Sequence, residues 1–180
     1  MKKYIILIIL VSTNFSLSDE RELQLNKLFD QLKVNNIKIV NVIEQKIWQI
    51  WITHPKDQKL TKMLADGSDL MAKQKFDEAV IVFSQVIDLD PNWAEAWNKR
   101  ATVFYLVGEY QKSQDDINKV LELENRHFGA LAGQGLVNME LKNYEKAIMS
   151  YQEAKRIYPT MKSPDIMIKQ LKELIKKESI

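Results

Sequence analysis

The chain has no cysteine and only two histidines, His54 and His127, among its 180 residues. Disulfides, thiolate metal sites and thiol nucleophiles are therefore excluded, and a histidine-based zinc site is short of ligands. Glycine and proline are scarce as well, at 5 and 4. That leaves too little turn chemistry for the many hairpins of an all-β sandwich or barrel. Charge of one sign is missing too, with 26 Lys+Arg against 24 Asp+Glu and no long basic run. Nucleic-acid binding needs a basic surplus on one face, so nucleic acid is not an expected partner. What is present is 46% hydrophobic residues, enough to bury a continuous core, and the expectation is an all-α chain.

The amino terminus reads as a targeting segment. Met1-Lys2-Lys3 is a short basic start, Tyr4 to Val11 is apolar, and Ser16 and Ser18 supply small residues before Asp19. Ser12, Thr13 and Asn14 interrupt the apolar run well before the about 20 residues that a membrane-spanning helix needs. Residues 1–18 are expected to be a signal peptide cleaved near Ser18, which implies export, with the periplasm as the destination and no membrane span in the mature form. Removing them leaves 24 basic and 24 acidic side chains.

From residue 60 onward the sequence repeats. Met63, Trp97 and Leu131 lie 34 residues apart, and so do Gly67, Ala101 and Gly135. The aromatic residues Phe76, Tyr110 and Tyr144 follow in the same phase, then Ala79, Ser113 and Ala147, then Phe83, Ile117 and Tyr151. The units end at Pro91, Asn125 and Pro159, with no insertion between them. A small residue at 67, 101 and 135 lets the two helices of each unit approach closely, while the large residues fill the space around them. First helices are expected over 59–73, 93–107 and 127–141, and second helices over 76–89, 110–123 and 144–157. Asn92, with Glu95 three residues on, reads as an N-cap, and Gly108 and Lys142-Asn143 read as tight turns.

This pattern resembles the tetratricopeptide repeat family, whose 34-residue signature runs W-x2-L-G-x2-Y, A-x3-F, P. Trp97, Ala101, Phe104 and Ile117 carry it in the second unit, Gly67, Ala79, Phe83 and Pro91 in the first, and Gly135, Ala147, Tyr151 and Pro159 in the third. The segments 97–102 and 126–133 also look like those of exported bacterial members. The resemblance covers residues 60–161 as units 60–93, 94–127 and 128–161. It implies an alpha-alpha superhelix, right-handed, with a concave groove that accepts a peptide or a partner helix.

The flanks fit the same logic. Residues 19–56 carry Leu25, Leu28, Phe29, Leu32, Ile43, Ile47 and Trp51 at helical spacing. They are expected to form a degenerate helical hairpin, ended by His54-Pro55, that covers the open face of the first repeat. Residues 162–180 should form a lysine-rich capping helix with Ser163 as N-cap, Pro164 at the first helical position and Ile168, Leu171 and Ile175 on its buried stripe.

Carried over by position, the groove-facing residues are Glu95, Asn98, Lys99, Thr102 and Tyr105 in the second unit, Ser68 and Met71 in the first, and Gly129, Leu136 and Met139 in the third. The family's chaperone-tail binders clamp a terminal carboxylate with Asn and Lys. Leu64, Ser68 and Gly133 stand where that clamp needs such groups, which argues against carboxylate capture here. The position usually held by Leu carries Asp66, Arg100 and Gln134 in successive units. Stacked as neighbours, Asp66 and Arg100 should form an inter-repeat ion pair, with Gln134 next in the row. Trp48, Trp51, Trp93 and Trp97 are expected in the core rather than as a ligand platform, Trp97 at the signature position above all, with a rim position the lesser alternative for Trp93. The glycines at 129, 133 and 135 fit no phosphate loop and thin a helix face instead. His127 reads as an inter-repeat hydrogen-bonding residue or a groove-rim contact.

No constellation points to catalysis, a metal or a cofactor. The expectation is a non-catalytic interaction scaffold whose partner is a protein or peptide. An enzyme subunit acting on envelope material through Glu95, Arg126 or His127, and a self-associating spacer, are the alternatives.

Overall fold

The computed structural model describes residues 17–33 and 36–178. Most of the predicted signal segment, residues 1–16, lies outside them. Among the described residues there are α-helices and turns but no strand. The helices are α1 (Leu17–Leu32), α2 (Ile37–Ile52), α3 (Gln58–Ala72), α4 (Phe76–Leu89), α5 (Ala94–Leu106), α6 (Tyr110–Leu123), α7 (Phe128–Glu140), α8 (Tyr144–Ile157) and α9 (Lys162–Glu178). Pairs α3–α4, α5–α6 and α7–α8 are the three repeats, and α4, α6 and α8 occupy the expected second-helix spans.

Each repeat closes by the same turn. Gln74, Gly108 and Lys142 take positive φ of 58°, 81° and 60°. The next amides, of Lys75, Glu109 and Asn143, donate to the carbonyls of Leu70, Phe104 and Asn138, the six-to-one bond that ends a helix in a left-handed residue. Only one of the three positions holds the glycine that this conformation favours, so at Gln74 and Lys142 the surrounding hairpin imposes it.

Within repeats, the small residues do what their spacing suggests. A Cβ at Gly67 would lie 2.6 Å from the Phe83 ring, and one at Gly135 would lie 2.5 Å from the Tyr151 ring. The rings of α4 and α8 thus rest directly on the backbones of α3 and α7. In the second repeat Ala101 holds the equivalent place, and its carbonyl accepts the Ser113 hydroxyl at 2.8 Å.

The amino-terminal hairpin does not cover the first repeat's open face. Its apolar stripe, including Leu25, Leu32, Val40, Ile47 and Trp51, shares one core with Phe128 and Leu131 of α7 and Ala154, Ile157 and Tyr158 at the end of α8. Helix α2 runs as a strap along the loops that join successive repeats. Trp51 meets the second repeat, its carbonyl accepting the Trp93 indole N–H at 2.8 Å. Trp48 and Trp51 pack on Phe128, and Glu44 accepts the Tyr158 hydroxyl at 2.9 Å. Outside it, α1 is tied down by Arg126, which binds Glu22 at 2.9 Å and Asn26 while lying over the Phe29 ring. The reason is apolar burial: the stripe joins five aromatic side chains, Phe29, Trp48, Trp51, Phe128 and Tyr158, in one core, and apolar surface removed from water is the main favourable term in such packing.

Three smaller expectations also change. The N-cap of α5 is Trp93, with no side-chain cap bond. Asn92 instead gives its amide to Asp90, and Glu95 is used elsewhere. Trp93 is deeply buried, as the core reading has it, whereas Trp97, expected in the core, is only partly buried and donates its indole N–H to the Pro91 carbonyl. Helix α9 begins at Lys162, placing Ser163 and Pro164 inside its first turn, where proline's missing N–H is harmless. Its Leu171 is buried against Ala147 and Tyr151, as a cap requires.

Candidate groove between the second and third repeats

A cavity of about 230 Å3 lies between α5 and α7, with α6 beneath. Asn98, Thr102 and Tyr105 reach it from α5, and Gly129, Ala132, Gly133 and Leu136 from α7. The glycines have a local cause. A Cβ at Gly133 would stand 3.7 Å from Ile117, whereas one at Gly129 would stand 2.7 Å from the Trp48 ring of the strap. Gly129 therefore admits Trp48 to the inner face as well as thinning the groove wall.

Five of the predicted groove residues, Asn98, Thr102, Tyr105, Gly129 and Leu136, line this one cavity. The others are drawn away from it. Met71 packs with the core of the first repeat, and Met139 with the core under α9. The Ser68 hydroxyl donates back to the Leu64 carbonyl at 2.9 Å. Lys99 is held by Glu95 at 3.4 Å.

Glu95 itself is 1% exposed and faces inward. Its Oε2 meets His127 Nε2 at 3.0 Å and accepts from the Asn98 side-chain amide at 3.1 Å. His127 is fully buried, accepts the Ala130 N–H on Nδ1 as the N-cap of α7, and stacks on Trp51 with ring centroids 4.0 Å apart. It is an inter-repeat hydrogen-bonding residue, not a rim contact. Sequence reasoning missed its partner, although an acid and a histidine at the starts of successive first helices were a usable signal. His54 is built alike: Nδ1 accepts the amides of Lys56 and Asp57, and Nε2 meets Asp90 at 2.8 Å.

The predicted Asp66–Arg100 ion pair does not form. Asp66 pairs with Lys62 one turn back, at 2.7 Å and in water. Arg100 points between the second helices, making two 2.8 Å bonds to Asp116 on α6 and one of 3.0 Å to Ser84 on α4. Gln134 turns the same way and accepts the Ser150 hydroxyl at 2.9 Å. Arg100 and Gln134 turn toward the second helices while Asp66 stays in water on α3, so the three side chains do not meet along the row.

At the open end of the groove, burial and the nearby Glu140 carboxylate raise the Tyr105 hydroxyl above its usual range. Tyr110 is raised as well, by desolvation and then by the same carboxylate. Both phenols are neutral hydrogen-bonding groups at physiological pH. The cavity thus offers a mostly apolar floor with a few neutral polar groups at its walls.

Comparison with known proteins places this geometry. The family model described as tetratricopeptide repeat matches residues 129–161. A TPR repeat-containing protein of Rhizobium etli is 30% identical over 152 residues, covering 83% of this chain and 74% of that one. Hsp70-Hsp90 organizing protein 3 of Arabidopsis thaliana is 30% identical over 87 residues, which is 48% of this chain but 16% of the plant protein. Among solved structures, the first TPR of Spaghetti (RPAP3) bound to the HSP90 peptide SRMEEVD superimposes with a TM-score of 0.64 at 18% identity, covering 66% of this chain and 94% of that one. At that identity the structural likeness speaks to the fold.

Proposed function

Because the chain belongs to the tetratricopeptide repeat family, we propose that it is a non-catalytic interaction scaffold whose α5–α7 groove receives a peptide segment or helix of a protein partner. The observation that carries this reading is the convergence of Asn98, Thr102 and Tyr105 on an apolar floor thinned by Gly129 and Gly133. Apolar side chains of a ligand would fill the floor, and the neutral polar groups would pair its backbone. The HSP90 peptide bound to the Spaghetti domain ends in acidic residues. Here the cavity wall includes no Lys or Arg among the described residues, so the proposed segment is apolar and neutral rather than acidic.

Selection of binding peptides from a random library against the full chain, followed by titration, tests the assignment. Asn98→Ala with Tyr105→Ala is expected to weaken the selected peptides about 10-fold or more, equivalent to about 1.4 kcal/mol, while the helical circular-dichroism spectrum at the assay temperature stays that of the folded chain. Undiminished binding would overturn the groove reading.

We also propose, on the basic start and apolar run of residues 1–11 and Ser16 and Ser18, that the chain works outside the cytoplasm, in the periplasm. Mass spectrometry of the chain recovered from cells should show loss of the first eighteen residues. An intact amino terminus would contradict cleavage there.

A further inference from the structure

On the side of the second helices, the two junctions between repeats differ at four related positions. Where the first junction carries Val80, Ser84, Arg100 and Phe104, the residues 34 places on are Gln114, Asn118, Gln134 and Asn138. All four are uncharged amides. At the first junction Val80 packs with the core of its repeat, and Arg100 spans to Ser84 while lying over the Phe104 ring, 5.7 Å from its centroid. At the second, the four amides line a groove of about 650 Å3 between α6 and α8. Asn138 is 6% exposed where its counterpart is a phenylalanine, and a buried amide contributes no apolar burial to the junction. Packing alone favours the first set.

The amides all point in one direction. Asn138 Nδ2 donates to the Gln134 main-chain carbonyl at 2.9 Å and to Gln114 Oε1 at 3.1 Å, and Gln114 Nε2 donates to Asn118 Oδ1 at 2.8 Å. A main-chain carbonyl only accepts, so it fixes the orientation of Asn138 and, through it, those of Gln114 and Asn118. An amide nitrogen donates two hydrogen bonds and its oxygen accepts two. Among the described residues Gln114 spends one of each, and Asn118 spends one acceptor only. Asn118 is exposed and Gln114 half-buried, and both line the groove. Each therefore keeps N–H and C=O capacity of fixed polarity for a ligand.

Spacing decides what these groups match. Gln114 and Asn118 stand four residues apart on α6, a rise of about 6 Å. In an extended chain the N–H and C=O of one residue point to the same edge, and that edge recurs every two residues, about 6.6–6.8 Å on. A helical ligand has its backbone groups already paired internally. A saccharide ring rests best on an aromatic face, and the lining holds no Phe, Tyr or Trp. Leu131, Leu141 and Met149 supply apolar contact instead. The charged lining is Lys146 and Glu153, one of each sign, with Glu153 held by Arg156 at 2.6 Å. No surplus of either sign calls for a charged ligand.

We propose that the α6–α8 groove binds an extended, uncharged peptide segment by its main chain, Gln114 and Asn118 pairing the N–H and C=O groups of alternate residues as a neighbouring strand would. It shares no lining residue with the α5–α7 groove, so either assignment can fail alone. The array then carries two peptide sites of different kinds, one read chiefly by apolar side chains and one by main-chain groups.

The test follows the side-chain amide resonances of Gln114, Asn118 and Asn98 in the 15N-labelled full chain. Three probes are titrated separately: an acetylated and amidated octapeptide of alternating threonine and alanine, the same octapeptide with every main-chain nitrogen methylated, and maltohexaose. Saturable shifts of the Gln114 and Asn118 amides with the first peptide are expected, with Asn98 unmoved and the methylated form about 5-fold weaker or more. Gln114→Val with Asn118→Ser, which installs the residues of the first junction, should weaken the first peptide about 5-fold or more, as loss of two or more hydrogen bonds does, read on the backbone amides of α6. Gln114 and Asn118 amides unmoved by the first peptide, or an equal or stronger response to the methylated peptide or to maltohexaose, overturns the proposal without relying on the variant. A shift of Asn98 with those two still would put the peptide in the α5–α7 groove and overturn it as well.

Discussion

Two junctions built on the same backbone positions are held together by different chemistry. Between the first and second repeats, Arg100 reaches across to Ser84 and is anchored by two bonds to Asp116, which is almost wholly buried. Between the second and third, Gln134 reaches only Ser150 of its own hairpin. The cross-junction bond there shifts one turn along the helix, where Asn138 donates to Gln114 at 3.1 Å. A shorter side chain leaves space, and a groove of about 650 Å3 lined by Gln114, Asn118, Gln134 and Asn138 opens between α6 and α8. At this position a long side chain bridges the junction and a shorter one does not, and the Arg100 charge is neutralised inside one hairpin rather than shared along the row.

The largest effect that separates them is loss of the anchor. Asp116→Ala strands the Arg100 guanidinium in a largely buried site and is expected to cost about 3–5 kcal/mol in chemical denaturation. Ser150→Ala, its counterpart, removes a neutral hydrogen bond and should cost about 1 kcal/mol. Equal losses would break the comparison. A transplant sharpens it: Gln134→Arg together with Ser150→Asp should rebuild the first junction at the second. The double variant is expected to exceed the sum of the singles by about 0.5–3 kcal/mol in a double-mutant cycle. Strict additivity would mean that the α6–α8 spacing cannot accept the pair.

The smallest effect concerns Tyr151, which stands where the second repeat has Ile117. Its hydroxyl is buried without a hydrogen-bond partner, so Tyr151→Phe should change stability by no more than about 0.5 kcal/mol near neutral pH. Burial, with a lesser contribution from Tyr105, pushes this hydroxyl up to about 12 from 10.0. The folded state therefore keeps a proton that the unfolded chain releases. The stability involved is intact below pH 10 and is lost as the pH rises toward 12. Tyr151→Phe should flatten that alkaline decline, which denaturation across the range would measure.

The fold was legible because its determinants are local and repeated. Gly67 under Phe83 and Gly135 under Tyr151 require small and large residues at fixed spacing, and the 34-residue phase displays it. Three features were not legible. The apolar stripe of α1–α2 announced burial but not its counterpart, because Leu32 and Trp51 meet Phe128 and Tyr158 only in three dimensions. Glu95 looked like a groove residue until His127, the N-cap of the next repeat's first helix, drew it inward. Arg100 was misassigned because stacking arguments treat repeats as translated copies and ignore the direction of the side chain. The groove was found where inner positions of α5 and α7 face each other, and missed where Met71 and Met139 serve their own cores.

Stacked arrays touching only nearest neighbours can lose their terminal units one at a time. The strap changes that arithmetic. Glu44 and Tyr158 are bonded across 114 residues of chain, and Glu22 and Arg126 across 104. Fraying the last repeat therefore has to peel α2 away from the middle one, and the expectation is a single melting event in which distant parts of the chain let go together.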